Sequence, residues 1–401
     1  MNLDLIKDIL VATVPLLIIF PSLFAFTTWL ERKALARIQN RIGPNKVGIP
    51  CTRISLFGLG QPAADGIKMI FKEDIVPRGA DRLFHLLAPI LALIPAMLVL
   101  CFLPLDFSFF AFWDEGIAED IKAVQSFALD GAVIFFFAIT GLNTLAIFMA
   151  GWASRNKYSL LGGMRAIAQM VSYEIPLVLS AVIVVMYVGS LNAEKIVLAQ
   201  DTLWFVFTPW GLAAFVIFFI AALAETNRSP FDLPEAESEI IAGYFTEYSG
   251  FKFALFFLGE YIAMFAISGL AVVLFLGGSL GPGVTVELVD GAKELESAFA
   301  GLPIIWLLAK IFALIAVMIW LRGTLPRLRV DQLMAFAWKF LLPLSILNIL
   351  VAGFAYFIPQ ENIGPKVAVW TVSLGILYAA AKGLNSLNRA DVKPREYKYA
   401  E

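Results

Sequence analysis

The chain has 401 residues, 60 % hydrophobic and only 15 % charged, with 35 phenylalanines, far outside the composition of soluble domains. Thirty basic and 32 acidic residues nearly cancel to a formal charge of −2, which excludes the strongly basic balance of a nucleic-acid-binding protein. Two cysteines (Cys51 and Cys101) and the single His85 are too few for a four-ligand metal or iron–sulfur site, so no metal and no redox centre is expected in this chain.

Nine apolar runs approach the roughly 20 residues that a bilayer-spanning helix needs. In chain order they cover about 10–30, 84–104, 129–150, 167–188, 205–224, 253–276, 302–321, 337–358 and 367–387. Asp4 and Asp8 spoil a signal-peptide start and no small-residue cleavage site follows, so the first run is expected to be a retained helix. The pattern predicts an all-α polytopic membrane protein, one membrane domain over 1–401, with structured loops on one side. His85 reads as an interfacial polar residue at a helix start.

The loops carry the orientation. One side receives 31–83, 151–166, 225–252, 322–336 and the C-terminal tail, and the first of these alone holds ten Lys and Arg. The other side has few cations among acids such as Asp114, Glu115, Glu119, Asp120, Glu287 and Glu294. An excess of Lys and Arg marks cytoplasmic loops, so the C-terminus is expected in the cytoplasm and the N-terminus outside.

Residues 31–42, ERKALARIQNRI, continue the first helix out of the bilayer, and Gly43-Pro44 ends it. In QPAADGIKMIFKED, 61–74, Pro62 suits a helix start and Ala63, Ile67, Ile70 and Phe71 form an apolar stripe. Such a helix lies in the membrane interface or packs on a partner protein. The stretch AETNRSPFDLPEAESE, 224–239, sets Glu225, Asp232, Glu235, Glu237 and Glu239 directly after one of the most apolar runs. Asp232 and Glu235 have the form of a capping box, which predicts a helix from 232 through 247 and accounts for those two acids structurally. It leaves the others unexplained, and neighbouring carboxylates repel unless protonated or matched by cations, for which the arginine-rich first loop is the expected source.

Three ionisable residues fall inside predicted spans. Glu174 and Glu260 each lie roughly 10 Å from the cytoplasmic end, and Lys310 near the middle of its span. Such groups face a bundle interior or a water-filled path, and they read either as structural ion pairs or as a proton relay from Glu225 through Glu174 and Glu260 towards Lys310. Tyr173 and Tyr261, beside the two glutamates, would extend the hydrogen bonding of a relay.

LERKALARIQNRIGPN, GLGQPAADGIKMIFKE, GWASRNKYSLLGGMRAIAQMVSYE, AETNRSPFDLPEAESE with GYFTEY, FALFFLGEY, and WLRGTLPRLRVDQLM with WKFLLPL resemble the H subunit of respiratory NADH–quinone oxidoreductase, complex I. The blocks cover about a third of the chain in the family's order. The resemblance implies a subunit at the junction of the membrane and peripheral arms, forming much of the chamber where quinone is reduced. Quinone would be the substrate, with FMN and iron–sulfur clusters only in partner subunits. Those partners include the peripheral subunit with the terminal cluster, its neighbour at the quinone site and small membrane subunits in the bacterial inner membrane.

By motif, Arg32 and Arg41 fall on the family's arginines of the first loop, and Asp65 on the acid of the amphipathic helix at the quinone entrance. Glu225, Asp232, Glu235, Glu237 and Glu239 fall on the acidic loop linking chamber and proton path. Asp232 is thereby expected on the quinone side. Glu174, Glu260 and Lys310 fall on membrane-embedded groups of that path, and Arg322, Arg327 and Arg329 on a basic loop beside the chamber. The departures are a long outer segment near 277–300 and the ninth helix. The nearest alternative is the equivalent subunit of a membrane-bound hydrogenase or formate hydrogenlyase; a stand-alone transporter would show two repeated halves with broken helices, which are not seen.

Overall fold

The computed structural model describes residues 22–48, 55, 57–100, 130–233, 242–289, 292–297, 302–358 and 363–390. Glu235, Glu237 and Glu239, both cysteines and most of the C-terminal tail lie outside the described residues. The protein is an all-α polytopic membrane protein. Among the described residues seven helices are long and apolar enough to cross a membrane: α3 (Arg82–Leu100), α4 (Ala132–Ala153), α5 (Lys157–Val188), α8 (Gly250–Phe275), α9 (Leu302–Thr324), α10 (Val330–Phe357) and α11 (Ile363–Ala390). An eighth apolar helix, α7 (Pro209–Glu225), is shorter, and residues 22–38 form α1. Short helices α2 (Gln61–Phe71) and α6 (Ala193–Leu198) lie in the connections.

Local chemistry fixes the ends. The Asn156 side chain accepts from the backbone N–H of Tyr158 to open α5, and Gly189, in the left-handed region at φ 69°, closes it. Thr208 caps α7, with Pro209 in its first turn. Helix α5 begins ten residues before the apolar run read from hydropathy, taking in polar Lys157 and Ser159 of the 151–166 loop. Glu174 stands roughly 26 Å along α5 from Lys157.

Helix α8 is the centre of the bundle: 78 % of its apolar window is buried, against 11 % for α11 at the periphery. Helices α3, α9, α2 and α7 pack on it, and Gly259 lets α8 approach the α3 backbone at Ala92. One expectation fails here. The helix predicted to run from 232 through 247 does not reach 247, since Gly243–Phe245 form a 3-10 turn and residues 246–249 are non-helical. That turn lies against α5, where a Cβ on Gly162 would come within 2.5 Å of Gly243 Cα, so packing overrides helix propensity. The outer segment near 277–300 contains an antiparallel hairpin, β1 (Val284–Val289) and β2 (Ala292–Ser297), with Val284 opposite Ser297.

Candidate functional site

Helix α1 leaves the bundle at Glu31, which is only 3 % exposed. Its carboxylate accepts from Arg322 at the end of α9, from the Tyr261 hydroxyl on α8 at 2.6 Å, and from Arg228 at 3.4 Å. The Arg228 guanidinium also stacks over the Tyr261 ring, 4.0 Å from its centroid. Burial alone would raise the Glu31 carboxyl, but the charges of Arg228 and Arg322 outweigh it, and the carboxyl is held below the ordinary carboxylate range. Sequence reasoning named Arg322 but missed Glu31 and Arg228. Both stood in view, in ERK and TNRSP, yet nothing local marks them as partners.

Glu225 ends α7 and is 7 % exposed, with one carboxylate oxygen buried and unpartnered. It lines two adjoining cavities of about 30 and 20 Å³, which share Asn143, Thr226 and Ala263 as walls. Each has room for about one or two waters. Glu260 lines the second, where the Tyr244 hydroxyl donates to it at 3.3 Å. Glu174 stands near enough to act on Glu225 electrostatically, and Gly141 on α4 leaves space beside it. Helices α4, α5, α7 and α8 thus bring Glu174, Glu225 and Glu260 together. Asn143 and Tyr244 join them, and neither was singled out from the sequence.

The remaining residues are placed elsewhere. Asp232, buried, pairs with Arg327 of the later basic loop at 3.3 Å. Arg32 pairs with Asp65 at 2.5 Å, and Gln61 donates to the same carboxylate. Arg41 donates to Gln39, and Arg329 pairs with Asp331 on its own exposed helix. Tyr173 does not extend a relay from Glu174: its hydroxyl donates to the Leu333 carbonyl. Tyr261 serves Glu31 rather than Glu260.

Lys310 is not brought to the glutamates. Its ammonium donates to the carbonyls of Leu276, Gly278 and Leu280 at 2.6, 3.0 and 2.6 Å and lies 4.1 Å over the Trp204 ring. Three donors meeting three carbonyls just past the end of α8 make a C-terminal cap in which every N–H is used. The His85 ring is buried and stacks flat on Tyr248 at 4.1 Å, an internal rather than interfacial position.

The chain is similar to known proteins over most of its length. Residues 11–353 match the model of a family described as NADH dehydrogenase. Similar relatives include three proteins named as the H subunit of NADH-quinone oxidoreductase. That of Geobacillus kaustophilus is 46 % identical over 82 % of this chain and 89 % of its own. That of Geobacillus thermodenitrificans is 45 % identical over 84 % and 91 %, and that of Dehalococcoides mccartyi 46 % identical over 85 % and 86 %.

Proposed function

The chain belongs to the NADH dehydrogenase family that includes the H subunits of NADH-quinone oxidoreductase, and from that premise we propose that it forms the quinone chamber and the first part of the proton-coupling path. The observation that carries this reading is Glu225. Its buried, unpartnered carboxylate oxygen lines two water-sized cavities, one shared with Glu260 and its Tyr244 hydroxyl. A carboxyl so placed has no ion pair among the described residues to lock its charge and has space for water to hand it a proton.

Quinone, held on the side of Arg32, Arg41, Asp65, Asp232 and the basic residues Arg322, Arg327 and Arg329, takes up two protons when reduced to quinol. The electrons come from a cluster in a partner subunit. The acids of loop 225–252, Glu235, Glu237 and Glu239 among them, respond to that uptake as a coupled group. Glu225 passes the change to Glu174, which it feels through space, and to Glu260, which it reaches through the cavity. The path within this chain ends there, and Lys310 holds the outer end of α8. The other partners are the neighbouring quinone-site subunit, small membrane subunits and the bilayer of a bacterial inner membrane, with the N-terminus outside and the C-terminus cytoplasmic. A hydrogenase-type relative would share the acids; the names of the relatives, all of them quinone oxidoreductase subunits, favour the quinone enzyme.

Glu174→Gln and Glu260→Gln test this, since both keep shape and remove the exchangeable proton. Normal abundance on native gels is expected, with quinone reductase rate and proton translocation into sealed vesicles each down by at least about tenfold. Wild-type turnover and pumping in the assembled variants would refute the path.

A further inference from the structure

Gln169 on α5 is completely buried, and its side-chain amide nitrogen donates to two backbone carbonyls of one distant segment, Ala224 and Phe231, each at 2.7 Å. Those carbonyls belong to the residues immediately before Glu225 and Asp232. A single amide therefore straps both ends of 224–231 to α5. We infer that Gln169 is a positioning residue for the proton-coupling acids, setting where Glu225 and Asp232 stand relative to Glu174. This rests on the reading of Glu225 given above.

The other side chains of the segment cannot substitute for the strap. Thr226 bonds within α7, to Ala222 and Leu223, and Arg228 turns to Glu31. Asn227 reaches the Met170 sulfur at 3.8 Å. Phe231 is held by ring contact with Tyr173, 5.5 Å between centroids, which comes from the same helix as Gln169. Gln169 and Glu174 are five residues apart, about 7.5 Å along the axis. The helix that supplies the acid facing Glu225 thus also supplies the donor that fixes Glu225.

The chemistry selects glutamine. Two carbonyl oxygens need two N–H donors on one atom, which an amide offers without charge. A lysine would bring a cation beside Glu225, a glutamate would set an anion against two carbonyl oxygens, and a leucine would leave each carbonyl only its local backbone donor, Asn227 N–H for Ala224 and Leu233 N–H for Phe231, with nothing tying the segment to α5. The titratable groups next to the strapped carbonyls in sequence are Glu225 and Asp232, while Glu174 lies on the same helix as Gln169.

The test uses the assembled, membrane-bound complex carrying Gln169→Leu, Gln169→Glu or, as reference, Glu225→Gln. NADH oxidation with a soluble artificial acceptor reports assembled enzyme, and the quinone reductase rate is normalised to it. Gln169→Leu is expected to lose at least about tenfold in normalised quinone reductase rate and to shift its pH profile, because the acids are no longer held at fixed separation. Gln169→Glu keeps one O–H donor while protonated, so its normalised rate is expected to fall reversibly relative to wild type as pH rises. That alkaline loss decides the matter should the leucine variant fail to assemble. Wild-type normalised rates and pH profiles in the Gln169 variants, whatever their abundance, would overturn the inference while an impaired Glu225→Gln left the reading of Glu225 standing. A normal Glu225→Gln would instead overturn that reading itself.

Discussion

Replacing Glu31 with glutamine would leave the guanidiniums of Arg228 and Arg322 without their shared anion in a buried site. Breaking one side of such a cluster costs about 3–5 kcal/mol, so Glu31→Gln should lower complex abundance and thermal midpoint. Adding Arg228→Gln should recover part of the loss, which a double-mutant cycle measures. The pH dependence follows from the direction of the shift. A carboxyl held below its ordinary 4.5 contributes stability that is complete above that value and is lost as the pH falls through the lowered one. Acidification below the ordinary carboxylate range should therefore destabilise the wild-type complex more than it destabilises Glu31→Gln, as thermal scans across that range would show. By contrast, Arg32 and Asp65 are half and about a third exposed, and such a pair contributes only about 0–1 kcal/mol. Arg32→Ala or Asp65→Ala should leave assembly and artificial-acceptor activity intact while lowering quinone reductase activity. Equal loss of both activities in assembled complex would remove these residues from the quinone side.

At the scale of elements, α9 and α8 are joined where Lys310 caps the carbonyls beyond Phe275. Lys310→Met would leave three carbonyls without their donor, at a cost of a few kcal/mol. The expected result is a larger fall in complex abundance and thermal stability than in turnover per assembled complex, with Lys310→Arg intermediate. Normal abundance with abolished proton translocation would return Lys310 to the path. Helix α2 shows a different economy of contacts: Ile67, Ile70 and Phe71 are exposed and the helix buries none of its residues within the chain. Its amphipathic pattern was legible because it is local, whereas the choice between lipid and partner protein depends on what lies outside this chain. The helix predicted after Asp232 stops short of 247 for the opposite reason: the close approach of Gly243 to Gly162 demanded a turn there.

For the whole molecule, α8 is the most buried of the long apolar helices, packed on by α3, α9 and α7, and Glu225 and Glu260 line a cavity inside the bundle. In a background lacking Cys51 and Cys101, Lys293→Cys in β2 should react with an impermeant thiol reagent added outside intact cells, and Asn388→Cys should not. The reverse labelling would invert the topology argued from the positive loops.

The sequence by itself determined the class of the fold, the apolar runs, the amphipathic pattern of α2, the family and the set of acids from which the site is built. Each of these depends on composition or on residues within a few positions of one another, where helix period, capping and desolvation act directly. Only the tertiary structure decided which charges meet. Glu31 finds Arg228 197 positions away, Asp232 finds Arg327 95 away, and Gln169 reaches carbonyls 55 and 62 residues on. Ion pairs and buried hydrogen bonds act over a few ångströms and are indifferent to sequence distance, so helix packing alone separates Lys310 from the glutamates and gathers Glu174, Glu225 and Glu260 together.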